Sequence, residues 1–145
     1  MSNTILKTLT ISAFCACIAV TGSAFAAAGT HKIAGIWEFA GEPDGTCGAP
    51  PFVNYTTISN DGTMINLDPT EGTSAGRIHW VPGGGYVARF FGYIANTGGL
   101  QFEVVGSLSL ADQDTLMGSY TVDLSAPDGT LLCAWGGNIT GTRID

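Results

Sequence analysis

The sequence predicts an all-β protein built as an eight-stranded antiparallel up-and-down barrel, with a two-sheet β-sandwich as the alternative. Three observations lead there. From residue 33 onward the chain falls into eight short runs, most with an apolar residue at every second position, the period of a strand. Clusters of Gly, Asp, Asn and Pro separate the runs, mostly by gaps short enough to make successive strands antiparallel neighbours. Beyond the N-terminal segment no stretch keeps a helical period over three turns. Eight strands close into a barrel whose interior holds side chains or one small ligand.

The N-terminal segment reads as an export signal. Lys7 precedes an apolar core from Leu9 to Val20, and Ala24-Phe25-Ala26 supplies the small residues a signal peptidase requires. That core is shorter than the roughly 20 residues that span a bilayer. Cleavage near Ala26 divides the chain into a signal (1–26) and a single β-barrel domain (27–145), secreted or periplasmic. Losing Lys7 moves the net charge from −7 to −8, because all 12 acidic residues stay. Such a surface repels nucleic acid and anionic lipid, so neither nucleic-acid binding nor membrane insertion is expected.

The first run, Ile33 to Phe39, sets Ile33, Gly35, Trp37 and Phe39 on one face. Gly35 leaves a space beside the Trp37 indole, and Arg143 in the last run is among very few cations able to fill it. A guanidinium over an indole contributes ~0.5–2 kcal/mol. That contact needs the first and last strands to be neighbours, and so implies closure. Gly41 to Pro51 is a loop, and Phe52 to Ser59 is the second strand. Asn60-Asp61-Gly62 marks a tight hairpin with positive φ, and the third strand returns over Thr63 to Leu67. A tight turn there sets Ile58 on the side of Ile65, and Thr56 on the side of Leu67.

Asp68 to Ser74 reads as a polar loop before the fourth strand, Gly76 to Val81. Pro82 to Gly85 ends it, and Tyr86 to Ile94 forms the fifth, apolar on both faces except for Arg89. The turn at Asn96 to Gly99 leads to Leu100–Leu110, where Phe102, Val104 and Leu108 alternate with polar residues. The seventh strand, Thr115 to Leu124, carries Tyr120 on its apolar side, and the eighth runs from Thr130 to Ile144. Glycines inside strands, among them Gly92, Gly118 and Gly141, predict strong curvature and close approach.

Cys15 and Cys17 leave with the signal, so Cys47 and Cys133 remain in a compartment that permits disulfides. Their bridge staples the closing seam at ~4 kcal/mol in the chain-entropy model. The competing assignment is a reactive thiol working with His31 or His79.

Metal and cofactor chemistry find little support. Two histidines without paired spacing do not form a zinc site, and Asp112 with Asp114 are too few for calcium. The glycine clusters are not followed by helices, so no phosphate cradle forms. His79, Glu103 and Asp123 alternate to the outside. Lone polar residues within apolar strands are the better candidates. An even-length turn at Asn96–Gly99 places Arg89, Phe91 and Tyr93 on the face of Phe102 and Val104, whereas an odd-length turn turns Arg89 outward. The expected interior set is Trp80, Arg89, Phe91, Tyr93, Phe102 and Tyr120, with Phe90 beside them.

Gly35-Ile36-Trp37 and the distant Arg143 resemble the closing signature of lipocalins and their calycin relatives. That resemblance implies that Gly35, Trp37 and Arg143 are structural, sealing the closed end, while ligand contacts come from inward residues further up. It implies a small hydrophobic molecule as partner; no cofactor is expected, since the residues offer no metal or phosphate motif. The run of strands also looks like the barrels of allene-oxide-cyclase type, which include cofactor-free cyclases. The segment Gly76 to Trp80, with Asn60 to Thr63 and Gly141 to Ile144, is similar to a group of small exported bacterial proteins. The expected function is therefore binding of a small apolar ligand. A cofactor-free cyclase or isomerase, with Arg89 and Tyr120 as donors, and a non-catalytic surface module are the alternatives. The oligomeric state stays open, a homodimer included.

Overall fold

The computed structural model describes residues 30–145 except 70, 71, 95 and 96. The expected export signal (1–26), with Cys15 and Cys17, lies outside the described residues, as does Asn96 of the turn after the fifth strand. Eight antiparallel strands form one closed barrel in sequence order: β1 (Gly35–Pro43), β2 (Phe52–Ile58), β3 (Thr63–Asp68), β4 (Gly72–Val81), β5 (Gly85–Tyr93), β6 (Gln101–Leu110), β7 (Thr115–Ser125) and β8 (Leu131–Arg143). The barrel, not the sandwich, is the fold. Pairing of β1 with β8 sets Trp37 opposite Arg143 and closes it.

Alternation sorts the side chains. Trp37 and Phe39, Asn54 and Thr56, Met64 and Asn66, Tyr86 and Ala88, and Tyr120 and Val122 point inward and are buried. The smaller inward positions let rings cross the narrow lumen. A Cβ at Gly92 or Gly141 would meet the Phe102 or Phe39 ring, so a ring occupies the space beside each glycine. These contacts give physical form to the curvature that the strand glycines predict.

The closed end is a compact plug. Ile33 and Trp37 are wholly buried, with Ile58, Ile78 and Leu116 packed around them. Burying such side chains stabilises by ~1.5–3 kcal/mol each. Ile33 does not extend β1; it ends a short 3-10 turn (His31–Ile33), and the chain becomes extended only from Ala34. That turn lets the Ile33 carbonyl accept the Trp37 indole N–H at 2.8 Å, which satisfies a donor with no access to water. Arg143 stacks on the outer side of the same indole, its guanidinium carbon 4.4 Å from the ring centroid.

The hairpin after β2 differs from the expected one by a single residue. Ser59 N donates to Thr63 O and Gly62 N to Ser59 O, both at 2.9 Å, with Gly62 at φ +83°. This is a three-residue loop ending in a left-handed glycine, and one residue exchanges the faces of the returning strand. Ile58 therefore pairs with Met64 and Thr56 with Asn66, while Ile65 and Leu67 face outward. β4 also begins earlier than expected. Gly72, Thr73 and Ser74 pair with Asp68, Leu67 and Asn66, so part of the expected polar loop is strand. A polar inward residue, Ser74, hides that strand's start from a hydrophobic pattern.

Three Asp-Gly-Thr segments share one construction. Asp44, Asp61 and Asp128 each accept, through Oδ1, the backbone N–H of the threonine two residues on, at 2.9–3.0 Å. The intervening Gly45, Gly62 and Gly129 all have φ between +83° and +86°. These hydrogen bonds favour the ionised form and hold each carboxyl below its ordinary value.

Candidate functional site

Above the plug the inward side chains stop meeting, and a cavity of ≈ 300 Å³ remains. It lies in the half of the barrel away from Trp37 and reaches the rim, where Pro50, Pro51 and Pro69 border it. Its aromatic wall is Phe39, Phe52, Phe90, Phe102, Tyr120 and Trp135, with Val104, Val122 and Ile139 between the rings. Phe52 meets Tyr120 edge to face at 5.4 Å. Alternation on an antiparallel sheet produces this wall directly, since every member lies on the inward parity of its strand.

One wall is polar. Thr56 Oγ1 donates to Asn66 Oδ1 at 2.8 Å, and Asn66 Nδ2 donates to Ser74 Oγ at 3.3 Å, a buried ladder across β2, β3 and β4. Asn54 sits two residues along β2 from Thr56, 7 % exposed, and its Oδ1 has no hydrogen-bond partner. Tyr120, 3 % exposed, has no partner for its hydroxyl either. Both residues line the cavity. Burial raises the Tyr120 hydroxyl pKa above its ordinary value, and the negative charges of Asp44 and Glu42 add to the shift.

The loop after β1 borders the rim. Its 3-10 turn (Thr46–Gly48) carries Cys47, which is bonded to Cys133 in β8 across a Cα–Cα distance of 6.3 Å. Ala49, Pro50 and Pro51 follow directly and form that side of the rim. The bridge therefore anchors the mouth loop, whereas Arg143 and Trp37 hold the same seam at the closed end. Joined in a disulfide, Cys47 is no free thiol for His79 to activate, and His79 itself lies on the exposed face of β4.

Of the residues expected inside, Phe102 and Tyr120 do line the cavity, and so does Phe90. Trp80 points inward but packs against the closed-end cluster and does not border the cavity. Arg89, Phe91 and Tyr93 face outward, opposite Val105, Glu103 and Gln101. Phe91 is 57 % and Tyr93 68 % exposed. Seven residues separate the paired Tyr93 and Gln101, an odd number, which sets the even-numbered residues of β5 against those of β6 inside. Arg89 accordingly pairs with Glu103 on the outer surface and lies over Phe91.

The sequence reading missed the polar column of Asn54, Asn66 and Ser74, together with the mouth residues Phe52 and Trp135. The alternation of Asn54, Thr56 and Ile58 was the available signal, since one buried isoleucine assigns its parity mates to the interior. Among the described residues no three His, Cys, Asp or Glu side chains gather as metal ligands, and no helix is long and apolar enough to cross a membrane.

Fold and site together define a closed eight-stranded antiparallel β-barrel, plugged at one end and hollow toward the other. No protein-family model matches the chain, and no curated protein matches it.

Proposed function

We propose that this protein is an exported barrel that holds a small apolar molecule in its interior. The cavity carries this reading: ≈ 300 Å³ of space walled by six aromatic side chains, within the range of small-molecule sites. The Gly35–Trp37–Arg143 closure supports it, because the same arrangement marks the lipocalin and calycin barrels that this chain resembles. The signal-like N-terminus and the Cys47–Cys133 bridge support export to an oxidising compartment. A cyclase or isomerase using Arg89 and Tyr120 as paired donors loses ground, since Arg89 lies on the outer face of β5. The solid surface module loses ground because the interior is hollow.

Native mass spectrometry of the purified protein after exposure to a lipid extract tests the reading. A discrete small-molecule adduct is expected, and it should vanish in Val104→Phe, which fills the lumen. Absence of any adduct across extracts, with the protein folded throughout, overturns the proposal.

A further inference from the structure

The two unpaired polar atoms in the cavity specify what kind of molecule fits. Burying a hydrogen-bonding group without a partner is costly, and such groups are rare in native interiors. Here two of them, Asn54 Oδ1 and the Tyr120 hydroxyl, border one cavity, each on a side chain more than nine-tenths buried. The neighbouring Thr56–Asn66–Ser74 ladder satisfies itself, which shows that the strands can pair inward polar groups where pairing is all they require. Asn54 Oδ1 is an acceptor only, and the Tyr120 hydroxyl can donate or accept.

The charge around the cavity narrows the choice further. No Lys, Arg or His is among the described residues lining it, while Asp68 borders it and Asp44 and Glu42 act on Tyr120. An anionic headgroup finds no counter-charge there and would face like charges at the rim. A bare hydrocarbon leaves both polar atoms unpaired.

We propose that the cavity selects a neutral, mainly apolar molecule bearing a hydroxyl group, which donates to Asn54 Oδ1 or pairs with the Tyr120 hydroxyl, and that it discriminates against both the parent hydrocarbon and the carboxylate. This inference rests on the reading of the cavity as a ligand site and adds the chemical class.

Calorimetric titration of the purified protein with naphthalene, 2-naphthol and 2-naphthoate at neutral pH separates the two claims. 2-Naphthol is expected to bind at least tenfold more tightly than naphthalene, the equivalent of about 1.4 kcal/mol, and more tightly than 2-naphthoate. Tyr120→Phe and Asn54→Leu, each verified as folded by its melting transition, should reduce the 2-naphthol preference severalfold in at least one case. Naphthalene should bind each variant at least as tightly as the wild type, because the substitution removes a polar atom that a hydrocarbon leaves unpaired. Equal binding of naphthalene and 2-naphthol overturns the inference and leaves the apolar cavity intact as a site. The same holds if neither substitution alters the preference. Tightest binding of 2-naphthoate overturns the neutral class. Failure of all three probes to bind overturns this inference together with the proposal beneath it.

Discussion

Replacing Arg143 by alanine removes more than a stacked cation. The side chain is only 17 % exposed, so its interactions are largely shielded from solvent. Stacking at 4.4 Å on a fully buried indole contributes about 1–2 kcal/mol. Nη1 donates to Ala34 O at 2.7 Å, and a charge-assisted bond of that kind adds about 1.5 kcal/mol. Nη2 donates to Lys32 O at 3.0 Å in a more exposed position and contributes less, and the ion pair with exposed Asp114 at 3.3 Å adds about 0–0.5 kcal/mol. The expected loss is therefore about 3–4 kcal/mol, above the range that stacking alone predicts. Equilibrium urea unfolding followed by tryptophan fluorescence measures it. Arg143→Lys should recover less than half, because an ammonium cannot lie flat on the indole and reach two carbonyls at once. A loss below about 1 kcal/mol for the alanine variant, or complete rescue by lysine, refutes this account of the seam.

Cys133→Ala opens a loop of 86 residues and should cost about 4–5 kcal/mol in the chain-entropy model; unfolding with and without reductant checks it, and a variant indifferent to reductant at the wild-type midpoint contradicts it. The carboxyls of Asp44, Asp61 and Asp128 have folded pKa values below their unfolded ones. Their contribution is complete above the ordinary carboxylate range and is lost as pH falls through the folded values. The urea midpoint should thus hold near neutrality and decline below about pH 4, less steeply in Asp61→Asn and Asp128→Asn than in wild type. Phe91→Ala and Tyr93→Ala, on the outer face of β5, should leave stability within about 0.5 kcal/mol and ligand uptake unchanged. A loss of uptake in either would return these residues to the interior.

Much of the fold was legible because its signals are local. Alternation within each run and turn chemistry between runs are written in consecutive residues, and closure was legible through a chemical coincidence: one tryptophan beside a glycine, and one arginine at the far end. What escaped was parity. Whether Phe91 or Phe90 faces the lumen depends on how many residues the preceding and following turns contribute, and β5 offers apolar residues on both faces. At Asn60-Asp61-Gly62 the residue types announced a turn correctly, yet two-residue and three-residue loops share those types and differ in which face returns. The cavity was the least legible feature. Asn54, Asn66 and Ser74 look like surface residues by type, and only the pairing of three strands reveals them as one buried column.

The order of the strands has a kinetic consequence. Seven seams of the barrel are built by chain neighbours, several through turns whose aspartate already fixes the threonine two residues on, so those pairings require little search. The eighth joins positions as far apart as Ala34 and Arg143, 109 residues distant in sequence. Nearly all of the long-range ordering cost is thereby concentrated in one event, the meeting of β1 and β8. Before that event the curled sheet presents two unpaired edges, and a second chain could satisfy them as well as its own partner strand. The Trp37–Arg143 latch at one end of the seam and the cysteine pair at the other make self-closure the favoured outcome, so the residues that secure the finished barrel also protect the unfinished one from exchanging strands with its neighbours.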